Sequence, residues 1–118
     1  MTSTKRLGEI GERLAELFLV LKGYEVLRRN FRYAGREIDL IVRRNTTIVA
    51  VEVKLRTGSG FGRATESIDR RKLARIRTAL QGALLDLPDS SRPRIDVVAI
   101  DITDDQSEMV VRHIEAVC

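Results

Sequence analysis

The sequence predicts an α/β domain. Three observations carry this. Apolar residues at helical spacing open the chain, strand-length segments joined by short turns occupy its middle, and a second helical stretch precedes the remaining strands.

Residues 5–22 read as the first helix, because Leu7, Ile10, Leu14, Leu17, Phe18 and Leu21 recur at three- and four-residue spacing. Gly23 supplies its stop. A second ridge, Gly8, Glu12, Ala15 and Leu19, lies about half a turn round. Glu12 thus sits among small and apolar neighbours, off the Glu9/Arg13/Glu16 stripe that is expected to face solvent. Gly8 and Gly11 weaken a helix, which predicts close approach of another backbone. Spacing leaves two readings of Glu12 open: it faces the sheet, or it is an exposed glutamate paired with a neighbouring arginine.

Tyr24 to Phe31 reads as a first strand, Tyr33-Ala34-Gly35-Arg36 as a turn, and Glu37 to Val42 as a second strand. A short turn at Arg44-Asn45-Thr46 leads into a third strand, Ile48 to Lys54, so the three form an antiparallel meander. The loop Thr57-Gly58-Ser59-Gly60-Phe61-Gly62-Arg63 invites a nucleotide-binding reading, but its glycines match neither the dinucleotide nor the Walker spacing. A loop that flexes over a substrate backbone fits it better.

Residues 65–86 are expected to form one long helix, with Ile68, Leu73, Ile76, Leu80, Ala83 and Leu84 on its buried side. Arg70, Arg71, Lys72, Arg75 and Arg77 lie elsewhere on it. Pro88 to Pro93 reads as a loop, Arg94 to Ile100 as a buried strand, and Glu108 to Val117 as a last, edge strand. Asp101, Asp104 and Asp105 read as a turn without the calcium-loop pattern. His113 is expected to stand alone on a strand surface, and no Cys/His cluster suits zinc. Asp96 is expected to pair with Arg94 or with a helix arginine.

At 118 residues, with 43% apolar and 32% charged residues, the chain suits one soluble domain spanning 1–118. The longest apolar stretch of the first helix, Leu17 to Leu21, is far short of a membrane span. The first residues show no signal-peptide pattern, and the one cysteine, Cys118, has no intrachain partner. A cytoplasmic location without membrane contact is the expectation. The net charge of +4 hides an asymmetry: residues 1–77 hold 18 Lys/Arg against 9 Asp/Glu, and residues 78–118 hold 3 against 8. Seventeen of the 21 basic residues are arginine. Positive charge concentrated in one part of a chain suits a polyanion held by arginine forks, although a solvated basic face would look the same in sequence.

The chemistry lies on the second and third strands. Asp39 sits near the start of one, and Glu52 and Lys54 sit near the end of the next. A turn around residues 44–46 pairs positions summing to about 90 or 91, so Asp39 and Glu52 should meet at one edge. Glu52 and Lys54 are two apart and share a face. Apolar core strands rarely carry charge, because burying an unpaired charge is costly. Two carboxylates and an ammonium on a rigid sheet are what a Mg²⁺- or Mn²⁺-dependent phosphodiesterase needs. The acids hold the metal, the metal polarises the phosphate and acidifies a water, and the lysine orients that water or offsets developing charge. Arg36 in the turn, Arg56, and Arg63 and Lys72 of the basic loop and helix are the candidate nucleic-acid contacts.

Glu37-Ile38-Asp39-Leu40 followed by Glu52-Val53-Lys54, in the order helix, three strands, helix, strand, resembles the restriction-endonuclease-like nuclease superfamily. More narrowly, the chain resembles the small bacterial YraN-like family, which is similar to archaeal Holliday-junction resolvases. Residues 7–115 carry that likeness through Gly8, Gly11-Glu12, Asn30-Phe31-Arg32, Gly35, Arg56, Phe61-Gly62, Lys72 and Arg94-x-Asp96-Val97-Val98. The usual proline before the strand-two aspartate is absent; Glu37-Ile38 stands there. The resemblance implies an αβββαβ core, a mixed central sheet flanked by helices, with an extra C-terminal edge strand. It also implies a metal site of Asp39, Glu52 and the Val53 carbonyl, Lys54 as catalytic lysine, and Glu12 joining from the first helix. The implied activity is a metal-dependent DNA endonuclease, with branched or recombination intermediates among its substrates. The alternative is a non-catalytic nucleic-acid-binding module on the same fold. Cutting two strands takes two sites, which favours a homodimer through either the edge strand or the exposed side of the first helix.

Overall fold

A computed structural model describes residues 3–58, 63–66 and 69–117, without the side chains of Arg63 and Glu66. Helix α1 (Thr4–Leu21) is followed by strands β1 (Glu25–Tyr33), β2 (Arg36–Arg44) and β3 (Thr47–Gly58). Helices α2 (Arg63–Glu66) and α3 (Arg70–Leu84) then lead to β4 (Arg92–Thr103) and β5 (Met109–Ile114). The five strands form one sheet in sequence order, antiparallel except where β3 pairs with β4 in parallel. This is the mixed α/β sheet that the sequence predicts.

Burial on both faces explains why β3 and β4 read as nearly continuous apolar runs. On one face, α1 brings Ala15 and Leu19 against Leu40, Val42, Val49, Val51, Val98 and Ile100. On the other, α3 brings Leu73, Ile76, Ala79 and Leu80 against Ile38, Ile41, Ile48, Ala50 and Ile95. Each Val, Leu or Ile among them contributes about 1.5–3 kcal/mol when fully buried.

Of the two ridges of α1, the one made of small residues faces the sheet. Gly11, Ala15 and Leu19 are buried, whereas Ile10, Leu17 and Leu21 of the larger apolar ridge are exposed. The close approach expected at the glycines is to a side chain and occurs at Gly11 only. A Cβ there would meet Leu55 Cδ1 at 3.0 Å, and one at Gly8 would meet nothing within 4 Å. Glu16, expected in solvent, is buried, because Arg29 reaches across from β1 with Nε 2.7 Å and Nη2 2.9 Å from its two carboxylate oxygens.

The expected single helix over 65–86 is two helices. Asp69 caps the second, its carboxylate accepting the Arg71 N–H at 2.8 Å, and a side chain that captures a nearby backbone N–H starts a helix instead of continuing one. Ile68, assigned to the buried side, and the Gly60-Phe61-Gly62 loop lie outside the described residues. Pro93, assigned to a loop, belongs to β4, which begins at Arg92. The turn expected at Asp101 begins later, at Asp104. Asp101 is buried in β4, where it accepts from the Ala64 N–H at 2.9 Å and from Arg112 Nη1 at 3.1 Å. No helix among the described residues is long and apolar enough to cross a membrane.

Candidate functional site

β2 and β3 stay in register from Arg44↔Thr47 to Leu40↔Val51, the sum of 91 set by their turn. One residue further, the ladder stops. The Val53 N–H donates instead to the Asp39 carboxylate, with Oδ2 2.9 Å away. Asp39 thus caps the place where β2 leaves β3, and β3 continues to Gly58 paired with β4 alone. An open cavity of about 410 Å³ occupies this fork, lined by Gly8 and Glu12 of α1, Asp39, the strand from Glu52 to Thr57, and Lys72 of α3.

Asp39, Glu52, Val53, Lys54, Arg56, Glu12 and Lys72 all line this one cavity. Arg36 does not; expected in the turn, it opens β2 opposite Tyr33 and donates to the Ala34 carbonyl at 2.8 Å. The Arg63 side chain lies outside the described residues. Of the two readings of Glu12, the structure selects the one that faces the acids.

The electrostatics follow from burial and crowding. Burial pushes the Asp39 carboxyl up to about 8, helped by its hydrogen bond to the Glu52 carboxylate and by the charge of Glu52, against the opposing Val53 N–H. Two carboxylates hydrogen-bond to one another only by sharing a proton, and a divalent cation is the other way to hold them together. Glu12 is also raised, first by burial and then by Glu37, Glu52 and Glu9. Burial lowers the Lys54 ammonium, with Glu52 resisting and Lys72 adding to the fall. Lys72 Nζ lies 2.9 Å from Glu52 Oε2; that hydrogen bond and the charges of Glu52 and Asp39 outweigh burial and raise its pKa. Oxygen donors alone suit a hard cation such as Mg²⁺ or Mn²⁺, so Asp39 and Glu52 fit such an ion.

A second acidic cluster lies on β4 and the end of β5, and the sequence reading missed it. Asp96, His113 and Glu115 each bring a potential ligand atom within 4.8 Å of the others, the one such trio among the described residues, so a metal is geometrically possible there. Glu12 accordingly stands back from the Asp39–Glu52 pair. Arg94 already supplies a cation to this second trio. Its Nη2 lies 2.8 Å from Asp96 Oδ2, 2.6 Å from the Tyr24 hydroxyl and 3.4 Å from Glu115 Oε1. His113 is not alone on a surface: its side chain is 2% exposed, with Nε2 2.7 Å from Asp96 and Nδ1 2.6 Å from Lys22 Nζ. A lysine ammonium only donates, so Nδ1 accepts and Nε2–H donates to Asp96. Burial works against the Asp96 charge, yet Arg94, the Ala116 N–H and His113 together hold its carboxyl below the usual range. The expected Arg94–Asp96 pair is present. The partners that escaped the sequence reading, Tyr24 and His113, lie 70 and 17 residues away and carried no local signal.

The sequence pattern of the uncharacterised protein family UPF0102 matches residues 11–100. The chain belongs to this family. A UPF0102 protein of Roseiflexus castenholzii is 46% identical over 112 residues, covering 92% of this chain and 90% of the relative. One from Corynebacterium efficiens is 41% identical, covering 98% and 94%, and one from Alkaliphilus oremlandii is 37% identical, covering 94% and 96%. Within this UPF0102 chain, Asp39, Glu52 and the two lysines therefore lie inside the matched segment.

Proposed function

We propose that the chain is a metal-dependent endonuclease that hydrolyses phosphodiester bonds in DNA, branched or recombination intermediates included. The observation that carries this is the Asp39–Glu52 pair, a half-buried and a buried acid without an arginine between them, in a cavity open to solvent and flanked by two lysines. A structural acid would be clamped by an arginine fork, as Asp96 is. Asp39 and Glu52, with Val53 beside them, would hold Mg²⁺ or Mn²⁺, and Glu12 would complete the acidic wall. Bound there, such an ion supplies Lewis-acid polarisation of the phosphate and a lowered pKa for water. Lys54, on the Glu52 face of β3, orients the attacking water through Nζ, and burial makes its proton easier to give up.

The basic surface supports a polyanionic substrate. Helix α3 begins Arg70-Arg71-Lys72, followed by Arg75 and Arg77, and has no acid in its first turn. Cations at a helix N-terminus oppose the macrodipole, a cost that a bound phosphate backbone offsets. With Mn²⁺ and a panel of linear, flapped, single-stranded and four-way DNA, the wild type should cut. Lys54→Ala should lose about 10²- to 10⁴-fold in rate with DNA affinity within a few-fold. Binding without cleavage by the wild type is the result that a non-catalytic module gives.

A second copy of the chain is the proposed protein partner. Ile10, Leu17, Val20 and Leu21 of α1 are exposed. Antiparallel two-fold pairing of this stripe about Leu14 and Leu17 sets Ile10 against Leu21, so apolar positions match. Light scattering at micromolar concentration should give twice the chain mass for the wild type and the chain mass for Leu17→Glu.

A further inference from the structure

We propose that Lys72 is a built-in counter-ion of the acid pair, displaced from Glu52 by a divalent cation and thereby released to bind a substrate phosphate. This rests on the reading of the fork as a metal-dependent nuclease site.

The choice of residue is the first argument. Among the described residues, Arg13, Arg29, Arg32, Arg43, Arg94 and Arg112 make the other ion pairs to carboxylates, apart from His113 on Asp96. Among the described carboxylates, Glu52 alone is paired with a lysine. Only four of the chain's 21 basic residues are lysine, and two of those four meet here. An arginine fork grips a carboxylate through two parallel hydrogen bonds, whereas an ammonium is a point charge that another cation can replace.

The second argument is accessibility. The Glu52 side chain is 6% exposed and fixed on a central strand, whereas the Lys72 side chain is 43% exposed. The lysine can swing outward at little cost; the glutamate cannot. Lys72 also comes from α3, the opposite wall of the cavity from α1, at the start of the basic helix. Crowding is the third argument. Lys54 and Lys72 stand beside the same carboxylate and repel one another, so a dication arriving at Glu52 meets an ammonium already inclined to leave. By linkage, whatever weakens the Lys72–Glu52 contact strengthens metal binding, and metal binding strengthens the hold on phosphate.

Titration calorimetry with Mn²⁺ on wild type, Lys72→Met, Lys72→Arg and Glu52→Ala tests this. Glu52→Ala should lose the heat. Lys72→Met should bind Mn²⁺ about 5- to 10-fold more tightly than wild type, and Lys72→Arg more weakly, because its fork competes better. The arginine variant keeps the charge, so it remains informative if the methionine variant fails to fold. Fluorescence anisotropy with duplex DNA in a Lys54→Ala background, which suppresses cutting, adds a second readout: Lys72→Met should weaken DNA binding several-fold with Mn²⁺ and little without it. Wild type that binds Mn²⁺ no more weakly than Lys72→Met and no more tightly than Lys72→Arg overturns the inference alone. Wild type that shows no Mn²⁺ binding overturns the metal site itself, and the inference with it.

Discussion

The two acid clusters of this molecule occupy the same sheet and are handled in opposite ways. Around Asp96, Arg94 gives two hydrogen bonds and Ala116 N–H and His113 give two more, so the buried carboxylate is held ionised. Around Asp39, one backbone N–H opposes burial and a second carboxylate, and the acid is held protonated up to about pH 8. Full compensation marks a group that holds structure together. Incomplete compensation beside an open cavity marks a group awaiting a ligand, because a fold gains nothing from repulsion it could relieve with an arginine. Both clusters contain acids at metal-binding spacing or close to it. What separates them is who supplies the positive charge.

The largest expected effect breaks the compensated side. Arg94→Met strands Asp96 and should cost about 3–5 kcal/mol, seen as a collapse of the denaturation midpoint. Glu52→Gln, which removes the charge that crowds Asp39 and keeps the side chain's shape, should leave stability within about 1 kcal/mol of wild type while abolishing Mn²⁺ binding. Equal losses from the two variants would erase the distinction between the clusters.

An intermediate effect comes from pH. The folded Asp39 carboxyl, near 8, binds a proton that the unfolded chain, near 3.8, has released. Its contribution to stability is therefore complete at low pH and lost as pH rises through about 8. Asp96 has the opposite sign: its depressed carboxyl contributes above the unfolded pKa, and that contribution is lost as pH falls. Asp39→Asn cannot ionise, so in metal-free buffer it should gain about 1–3 kcal/mol on wild type between pH 5 and pH 9. Parallel melting curves for the two proteins across that range would show Asp39 to be as well compensated as Asp96.

The smallest expected effect is none. His113→Gln removes one candidate ligand from the Asp96 trio and should leave the Mn²⁺ titration unchanged, because Arg94 already holds that place. Loss of the titration signal would move the metal to the other cluster.

Much of the site was legible in the sequence. The turn at 45–46 fixes the β2–β3 register, and a period of two fixes Glu52 and Lys54 on one face and Arg94 beside Asp96. These relations are local: backbone geometry settles them before anything packs. Tertiary packing decided the rest. Which ridge of α1 meets the sheet depends on how closely a helix can approach, and the small residues Gly11 and Ala15 allowed an approach that Ile10 and Leu17 would have blocked. Lys72 reaches Glu52 from 20 residues away because α3 packs on the sheet face that carries Ile41, Ala50 and Ile95, and Tyr24 reaches Arg94 across 70. No periodicity records such meetings. Compensation is a property of three-dimensional neighbours, so the sequence could place the acids but only the folded chain could show which was clamped by an arginine and which by a displaceable lysine.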